Sequence, residues 1–410
     1  MPYIQRAITP ILKQRVSTSK CMLLVGARQV GKSTLIKHEF KDFNRANFDD
    51  RLTRMQAKEE PKLFLLNNPQ PLFIDEVQKE SSILEDLKQI VDESDERGMF
   101  LLSGSQKLEL IKGMSESLAG RVSISELTGL SMREIYGVKF NRHFIPTDVY
   151  IKEREKEIVK YDNIWEIIHK GSYPELYDID RDWQEYYSSY VATYLERDIN
   201  ELVAADGITF TKFLMAVAAR TGELLNYSNI AGDVGVSEPT IKNWISILER
   251  TGIVYLLQPY SASALKRAIK TPKLYFRDTG LACYLTRWLT AETLKCSAVA
   301  GNMFETFVVS EILKSYSNEG KDYRFNIFYY RGKDRNASGE NEIDLVIEED
   351  GVLYPVEIKM SGNPKASMGA MNQVLDKVSD KKRGLGVILC LIDKKTYLRE
   401  NLVALPIEFI

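Results

Sequence analysis

The stretch CMLLVGARQVGKSTLIKHEF, residues 21–40, constrains the fold more than any other part of this sequence. Its apolar run at residues 22–25 is typical of a buried parallel strand. Residues 26–33 then fit the pattern G-x-x-x-x-G-K-[ST], and residues 34–40 are predicted to continue as a helix. A strand, a glycine loop and a helix in this order predict a parallel α/β sheet with an anion site at its edge.

The loop has the residue types that phosphate binding requires. Gly26 and Gly31 allow the backbone to turn its N–H groups onto phosphate oxygens. Lys32 is predicted to reach the β- and γ-phosphates of ATP, and the Ser33 hydroxyl to bind Mg²⁺. A glycine turn with a chance lysine is the alternative, and the flanking strand and helix disfavour it. The remaining loop positions predicted to contact the nucleotide are Ala27, Arg28, Gln29, Val30 and Thr34.

Two further apolar runs end in polar residues. QPLFIDEVQ predicts a strand at residues 72–74, after which Asp75 is expected to hold Mg²⁺ and Glu76 to polarise the attacking water as general base. MFLLSGSQ, residues 99–106, places Ser103 and its neighbours Ser105 and Gln106 at the same sheet edge, where a polar group can sense the γ-phosphate. Arg121 either contacts a γ-phosphate, in its own chain or across a subunit boundary, or forms a surface salt bridge.

Composition narrows the class of protein. With 410 residues the chain is expected to form two to four domains. A formal net charge of −2 excludes a bulk polycation, so contact with nucleic acid would need local basic patches. Four widely spaced cysteines without a C-x-x-C pair indicate a reducing compartment. No apolar run approaches the length of a membrane span, so we expect a cytoplasmic protein that does not bind membranes.

The middle of the chain has two patterns. Residues 141–205 show helical periodicity, in which a tyrosine row at 186, 187, 190 and 194 indicates packing and the charges at 196–198 a salt-bridged helix face. Residues 206–262 resemble a winged-helix domain, with Ser237 as N-cap of a second helix at residues 240–250. That helix is near neutral, which favours protein packing or a weak DNA contact over base reading. The lysine-rich residues 261–273 predict either a phosphate contact or a solvated linker.

The order of the motifs resembles P-loop ATPases of the AAA type. More specifically, the chain resembles a prokaryotic family of AAA-like ATPases with a nuclease-like C-terminal half. The resemblance implies ATP binding and slow hydrolysis. The stretches that carry it span nearly the whole chain: GARQVGKST, LFIDEVQ, LLSGSQ, ESLAGRV, GSYPEL, YLERDI, FRDTGLACYL and FETFVVSEI.

The last hundred or so residues resemble the PD-(D/E)XK nuclease core, with an amphipathic helix predicted at residues 301–316. The resemblance implies a Mg²⁺ site formed by Glu305, Asp344 and Glu357, with Lys359 as the catalytic lysine. The pattern is physically coherent, because strand side chains alternate and Glu357 and Lys359 therefore project from one face. Lys359 would orient the attacking water and stabilise charge at the phosphorus. The alternative is an ordinary charged hairpin.

The predicted fold is therefore α/β with several parts. An AAA-like P-loop sheet spans residues 1–140, a helical segment 141–205, a winged-helix-like domain 206–262, a linker and packing segment 263–298, and a restriction-endonuclease-like α/β domain 299–410. The predicted function is a Mg²⁺-dependent ATPase coupled to a domain that binds or cleaves DNA. The alternative is an ATP-dependent switch or scaffold that acts on a protein partner and cuts nothing. Assembly into a homo-oligomer is a further expectation.

Overall fold

The computed structural model describes residues 3–104, 118, 120–178, 181–199, 206–261, 271–333 and 340–410. Within these ranges the strands form sheets of five, seven and three strands. The predicted α/β class and the N-terminal parallel sheet are confirmed. None of the helices in the described ranges is long and apolar enough to cross a membrane.

The first sheet consists of β1 (Cys21–Val25), β2 (Asn44–Asn47), β3 (Leu72–Asp75), β4 (Phe100–Gly104) and β5 (Val122–Glu126). Its strands are all parallel and lie in the order β2-β3-β4-β1-β5. Every residue of β1 is buried, as its continuous apolar run predicts. Because side chains alternate along a strand, Leu24 joins the large core shared with the rest of the chain, and Leu23 a smaller core under the local helices.

Helices cover both faces of this sheet. Gly31 is the N-cap of α2, so this helix begins at Lys32, two residues before the predicted start. Asp50 caps α3 by accepting a hydrogen bond from the Thr53 N–H at 2.9 Å. The helices are α1 (Thr9–Thr18), α2 (Lys32–Glu39), α3 (Arg51–Glu59), α4 (Pro61–Asn67) and α5 (Ile83–Glu93), with a 3₁₀ turn at Val77–Glu80.

A helical segment follows the first sheet. Its tyrosine row is at most 4% exposed at Tyr186, Tyr187, Tyr190 and Tyr194, so the predicted packing role is confirmed. The side chains of residues 196–198 lie outside the described part of the chain. The segment comprises α6 (Met132–Ile135), α7 (Asp148–Arg154), α8 (Ile164–Lys170), α9 (Glu175–Asp178), α10 (Trp183–Tyr190) and a π-helix at Val191–Ile199.

The next part contains a small antiparallel sheet with helices. Its elements are α11 (Gly207–Ala218), β6 (Glu223–Leu224), α12 (Tyr227–Val234), α13 (Glu238–Arg250), β7 (Val254–Leu257) and β8 (Lys273–Phe276). The strand order is β6-β8-β7. Ser237 caps α13 as predicted, since its side chain accepts a hydrogen bond from the Thr240 N–H at 3.3 Å. Lys266, Arg267 and Lys270 lie outside the described residues, whereas Lys273 is buried in β8 and is not part of a solvated linker.

The C-terminal part is built on a mixed sheet with strand order β14-β15-β13-β11-β10-β9, on which β12 pairs with β11. Its strands are β9 (Ile327–Lys333), β10 (Glu340–Glu349), β11 (Val352–Lys359), β12 (Lys382–Arg383), β13 (Gly386–Cys390), β14 (Thr396–Arg399) and β15 (Leu402–Pro406). Its helices are α14 (Thr279–Leu285), α15 (Ala291–Lys295), α16 (Ala300–Asn318) and α17 (Leu375–Val378), with 3₁₀ turns at Tyr323–Phe325, Ala366–Val374 and Ile407–Phe409.

Helix α16 corrects one prediction. The sequence predicts an amphipathic helix, but its residues are buried from Thr306 to Asn318 without interruption. Other parts of the chain enclose it on all sides, so its polar side chains find internal partners. Glu311 accepts a hydrogen bond from the Met132 N–H at 2.9 Å, and the Lys314 ammonium donates to the Leu130 carbonyl at 3.0 Å.

The carboxylate of Asp278 joins three parts of the fold. Its Oδ2 accepts hydrogen bonds from the N–H (2.6 Å) and the hydroxyl (2.8 Å) of Ser172. Its Oδ1 accepts from the Tyr187 hydroxyl and from the Leu281 N–H at the start of α14, both at 2.7 Å. The sequence stretches GSYPEL and FRDTGLACYL therefore meet in a buried structural contact.

Asp278→Ala is expected to lower the free energy of unfolding by about 3–5 kcal/mol, because it leaves buried donors without an acceptor. The measurement is denaturant or thermal unfolding of the full chain. The matched control is Asp393→Ala, since the Asp393 side chain is 79% exposed and solvent screens its surface pair with Lys160. An equal loss of unfolding free energy in the two variants would contradict the assignment of Asp278 as the residue that connects these parts of the fold.

Candidate functional site

The glycine loop after β1 is shaped by close backbone contacts. A Cβ atom at Gly26 would lie 2.2 Å from the Leu127 carbonyl oxygen, so only glycine fits there. Gln29 and Gly31 have φ angles of 64° and 93°, which place both in the left-handed region. The loop therefore curls around its own N–H groups, as the sequence pattern predicts.

Side chains from distant parts of the chain hold the loop. Arg6 donates to the Val30 carbonyl at 2.8 Å and is itself paired with Glu134 at 3.0 Å. The Tyr186 hydroxyl donates to the Gln29 side chain at 2.7 Å, which directs this side chain toward the helical segment. The sequence singled out Tyr186 only as a packing residue and did not single out Arg6, so neither contact with the loop was predicted. No motif marks them, because their contacts depend on chain segments far apart.

Lys32 is buried beside the loop. Its ammonium donates to the carbonyl oxygens of Gly26 and Ala27, both at 2.9 Å, and its exposure is only 5%. Burial lowers the pKa of Lys32 to about 8, although the nearby carboxylates of Glu76 and Asp75 oppose this shift. The hydrogen-bond acceptors of this cation are neutral carbonyls, which anionic phosphate oxygens can replace. The site thus fits a phosphate group.

Asp75 is the last residue of β3 and Glu76 follows it, so both lie at the carboxyl edge of the sheet, as predicted. The buried Asp75 carboxylate accepts a short hydrogen bond from the Ser103 hydroxyl. Ser103 has no exposed surface, so in this structure it positions Asp75, and its direct contact with a phosphate stays a prediction. Glu76 has a φ of 55° and accepts a hydrogen bond from the Gln78 side chain. Ser105 and Gln106 lie outside the described residues.

Most of the predicted nucleotide-binding residues surround one cavity of about 570 Å³. The predicted residues that do not line it are Gly26, Ala27, Val30, Asp75 and Ser103. Ala27 and Val30 instead face a narrower space next to Gly252, where a Cβ built on Gly252 would lie 3.6 Å from the Cβ of Ala27. The predicted residues that line the cavity are Arg28, Gln29, Gly31, Lys32, Ser33, Thr34 and Glu76.

Arg121 lies away from this cavity. It precedes β5, whose first residue Val122 pairs with Cys21 at the start of β1. The loop follows the other end of β1, roughly 15 Å away at the rise of a strand. Arg121 forms a surface ion pair with Asp92. This position corrects the predicted contact with a phosphate in the same chain, and only a contact with a second copy stays a prediction.

The C-terminal carboxylates come together as predicted. Asp344 lies on β10, and its Oδ2 accepts hydrogen bonds from the Ile358 N–H and the Lys359 ammonium, both at 2.8 Å. Lys359 also lies 2.9 Å from Glu357 on the same strand. Glu305 extends from α16 toward these residues. Its Oε1 atom accepts a hydrogen bond at 2.6 Å from the hydroxyl of Tyr275, which lies on β8. We call Glu305, Glu342, Asp344 and Glu357 the carboxylate cluster.

Burial strongly affects the charges of this cluster. Burial, reinforced by the negative charge of Asp344, raises the pKa of both Glu357 and Glu305 above the ordinary range. Burial disfavours the charged form of Lys359, yet Asp344 and Glu357 outweigh it and hold the Lys359 pKa above its usual value. The Oε1 atom of Glu357 is buried and makes no hydrogen bond to any described residue.

Carboxylate oxygens are suitable ligands for Mg²⁺, but the cluster as arranged does not fit a divalent cation. Two lysine ammonium groups already pair with its acidic groups, Lys359 with Asp344 and Glu357, and Lys273 with Glu305 and Glu342. Across the described ranges, no group of three or more acidic, histidine or cysteine residues is placed to hold a metal ion. The predicted metal ligands are therefore adjacent but ion-paired.

Three protein-family models match successive parts of the chain. A model described as an AAA domain matches residues 18–136. Two domains of unknown function match the rest: DUF8612 at residues 161–292 and DUF4143 at residues 300–410. The AAA-domain match supports ATP binding by the first sheet and its loop.

The chain is also similar to two curated relatives, the uncharacterized proteins Rv2008c of Mycobacterium tuberculosis and Mb2031c of Mycobacterium bovis. Each is 27% identical over 372 residues, which cover 89% of this chain and 76% of the relative. Among solved structures, the Walker-type ATPase PABY2304 of Pyrococcus abyssi aligns with 68% of this chain and 94% of its own. The TM-score of that alignment is 0.43 at 14% identity.

Gly26→Ala is expected to distort the loop and to abolish measurable ATP binding, because its new methyl group would overlap the Leu127 carbonyl. The measurement is calorimetric titration with a non-hydrolysable ATP analogue. The control is Gly301→Ala at the start of α16, where an added Cβ meets nothing within 4 Å. Wild-type affinity in the Gly26 variant would contradict the close contact.

Proposed function

We propose that this protein binds ATP at residues 26–34 and hydrolyses it with Mg²⁺. One observation carries the proposal: the cavity beside the loop brings together a buried lysine, two hydroxyl side chains and a carboxylate, namely Lys32, Ser33, Thr34 and Glu76. Within one site these groups supply the positive charge, hydrogen-bond donors and general base that phosphoryl transfer to water requires.

Each residue has a distinct task in this proposal. The loop N–H groups and the Lys32 ammonium bind the phosphate oxygens, and Lys32 exchanges its carbonyl acceptors for them. Ser33 and Asp75 would hold Mg²⁺, which neutralises negative charge on the β- and γ-phosphates when it is bound. Glu76 accepts a proton from the attacking water, while Gln78 fixes the orientation of its carboxylate.

The nucleotide state is proposed to reach the rest of the chain through the loop. Gln29 is bonded to Tyr186, and the Arg28 guanidinium lies 5.6 Å from the ring centre of Tyr194. Both tyrosines belong to the helical segment, so movement of the loop on ATP binding would displace their contacts. Such contacts support coupling between the loop and the helical segment.

Glu76→Gln is expected to keep ATP binding but to slow turnover by about 100-fold or more, because the amide cannot accept the proton from water. Lys32→Ala is expected to lose ATP binding itself. Steady-state phosphate release and analogue titration measure the two effects. Glu85→Gln, an exposed residue of α5, is the matched control. Unchanged turnover in the Glu76 variant would reject the base assignment.

A second function, cleavage of DNA, is favoured by one observation at the other end of the chain. Asp344, Glu357 and Lys359 converge on neighbouring strands in the order that nuclease-like folds use, and one oxygen of Glu357 has no hydrogen-bond partner among the described residues. The order of α12, α13 and β7 supports the winged-helix-like domain proposed at residues 206–262, and with it a contact with DNA. DNA is the proposed substrate.

Asp344→Asn is expected to abolish Mn²⁺-dependent DNA cleavage and to leave ATP turnover unchanged. The measurement compares plasmid, linear and branched DNA, with and without ATP. Asp350→Asn in the turn between β10 and β11 is the control, since its side chain is exposed and lies in the same hairpin. Equal cleavage by the Asp344→Asn variant and the wild type would remove the carboxylate cluster from the reaction.

The alternative is an ATP-dependent switch or scaffold that binds a protein partner and cuts nothing. The ion pairs within the carboxylate cluster favour it, as does the pairing of Lys242 with Glu238 at 2.7 Å on α13. Homo-oligomer assembly, with Arg121 at a second copy's nucleotide, belongs to the same proposal. Intact ATP turnover without cleavage of any DNA would select this alternative.

A further inference from the structure

The two lysines of the carboxylate cluster come from different parts of the fold. Lys359 lies on β11, in the same sheet as Asp344 and Glu357. Lys273 instead lies on β8 of the small three-stranded sheet. Its ammonium is 3.3 Å from Glu305 and closer still to Glu342. The small sheet therefore supplies a positively charged side chain to the acidic site on the C-terminal sheet.

A second residue of β8 strengthens this contact. Tyr275 lies two positions after Lys273, so both side chains project from one face of the strand. The Tyr275 hydroxyl donates to the same Glu305 oxygen that Lys273 approaches, at 2.6 Å. The Oε1 atom of Glu305 is thus held by two groups from the small sheet.

The electrostatics explain why Lys273 remains in place. Its side chain is only 5% exposed. Burial disfavours an isolated charge, and the ion pairs with Glu305 and Glu342 compensate for this cost. A divalent cation would need the carboxylate oxygens that Lys273 now occupies, and two positive species cannot share them without strong repulsion.

The surroundings give Lys273 room to withdraw. It lines the cavity of about 690 Å³ that lies between the small sheet and the C-terminal sheet, together with Arg220, Thr271 and Arg331. A lysine side chain has a flexible four-carbon stem and can move its charge over several ångströms. Displacement of β8, or rotation of this side chain into the cavity, would release Glu305 and Glu342.

We propose that Lys273 is a built-in counter-ion that keeps a divalent cation out of the carboxylate cluster until β8 releases it. The proposal rests on the second function above, DNA cleavage, but concerns cation binding rather than the reaction. It accounts for a nuclease-like set of acidic residues that does not fit a metal ion as arranged. The small sheet thereby becomes the part of the chain that opens or closes the site.

The test is a titration of the full chain with Mn²⁺ in the absence of nucleotide. Binding is measured by electron paramagnetic resonance as the loss of the signal of free Mn²⁺. Lys273→Met is expected to bind one additional Mn²⁺ at least about tenfold more tightly than the wild type, because the competing charge is gone. That additional site must disappear when Asp344→Asn is combined with Lys273→Met. Lys321→Met is the control, since Lys321 pairs with Glu349, which is not part of the cluster.

Lys273→Gln is measured in parallel, because it removes the charge but keeps a hydrogen-bond donor and is less disruptive to folding. Thermal unfolding shows that the compared variants are folded. No additional Mn²⁺ in either Lys273 variant overturns the proposal. The proposal is also overturned if the wild-type chain already binds Mn²⁺ at micromolar concentration and the Asp344→Asn variant does not. This result needs no Lys273 variant.

The outcomes separate this proposal from DNA cleavage. Tighter Mn²⁺ binding in Lys273→Met without cleavage of any DNA supports the counter-ion and rejects the nuclease function. Cleavage by wild type and Lys273→Met alike, with no gain in Mn²⁺ binding, supports the nuclease function and overturns the counter-ion.

Discussion

Enclosure of helix α16 is the constraint on which the rest of the structure depends. A helix buried on all sides cannot leave charged side chains in water, so each must be paired inside the protein. Glu311 and Lys314 are satisfied by the backbone that follows β5, and Glu305 by residues of β8. One helix therefore contacts the segment after the first sheet and the small sheet, and it packs against the C-terminal sheet.

This arrangement also places the two candidate sites in one connected body. Residues 127–132 form part of the support of the glycine loop, through the contact of Leu127 with Gly26, and also bind α16 through Leu130 and Met132. The carboxylate cluster lies where Glu305 of the same helix contacts Lys273 and Tyr275 of β8. Contiguous packing of this kind is a physical condition for coupling between the two sites.

The loop, its strand and its helix could be predicted because their signals are local. Glycine positions, an apolar run and a following helix depend on neighbours in sequence, and the structure differs by only one or two residues at the ends. Arg121 shows the limit of such reasoning. A residue next to a strand lies at one of the two ends of the sheet's strands, and the end must be known. Arg121 precedes β5, and the parallel register places it beside the amino end of β1, whereas the loop follows the carboxyl end.

Partnerships between distant residues could not be predicted from the pattern. The sequence suggests that Ser103 faces a phosphate, yet burial pairs it with Asp75. The periodicity of α16 indicates one polar face, but a helix surrounded by protein pairs its polar groups internally. Arg6 and Tyr186 hold the loop from far away in sequence and belong to no motif.

The sequence by itself determined the glycine loop, the acidic residues at the end of β3 and the approach of Asp344, Glu357 and Lys359. Strand alternation and turn chemistry act over a few residues, so their signals are local. Only the tertiary structure decided which charges neutralise one another. The sequence pattern assigns Lys273 to a basic linker, and the fold buries it against Glu305 and Glu342. Ion pairs form between charged groups that are close in space, whatever their separation in sequence. Burial then requires the pairing, because an unpaired buried charge is strongly destabilising.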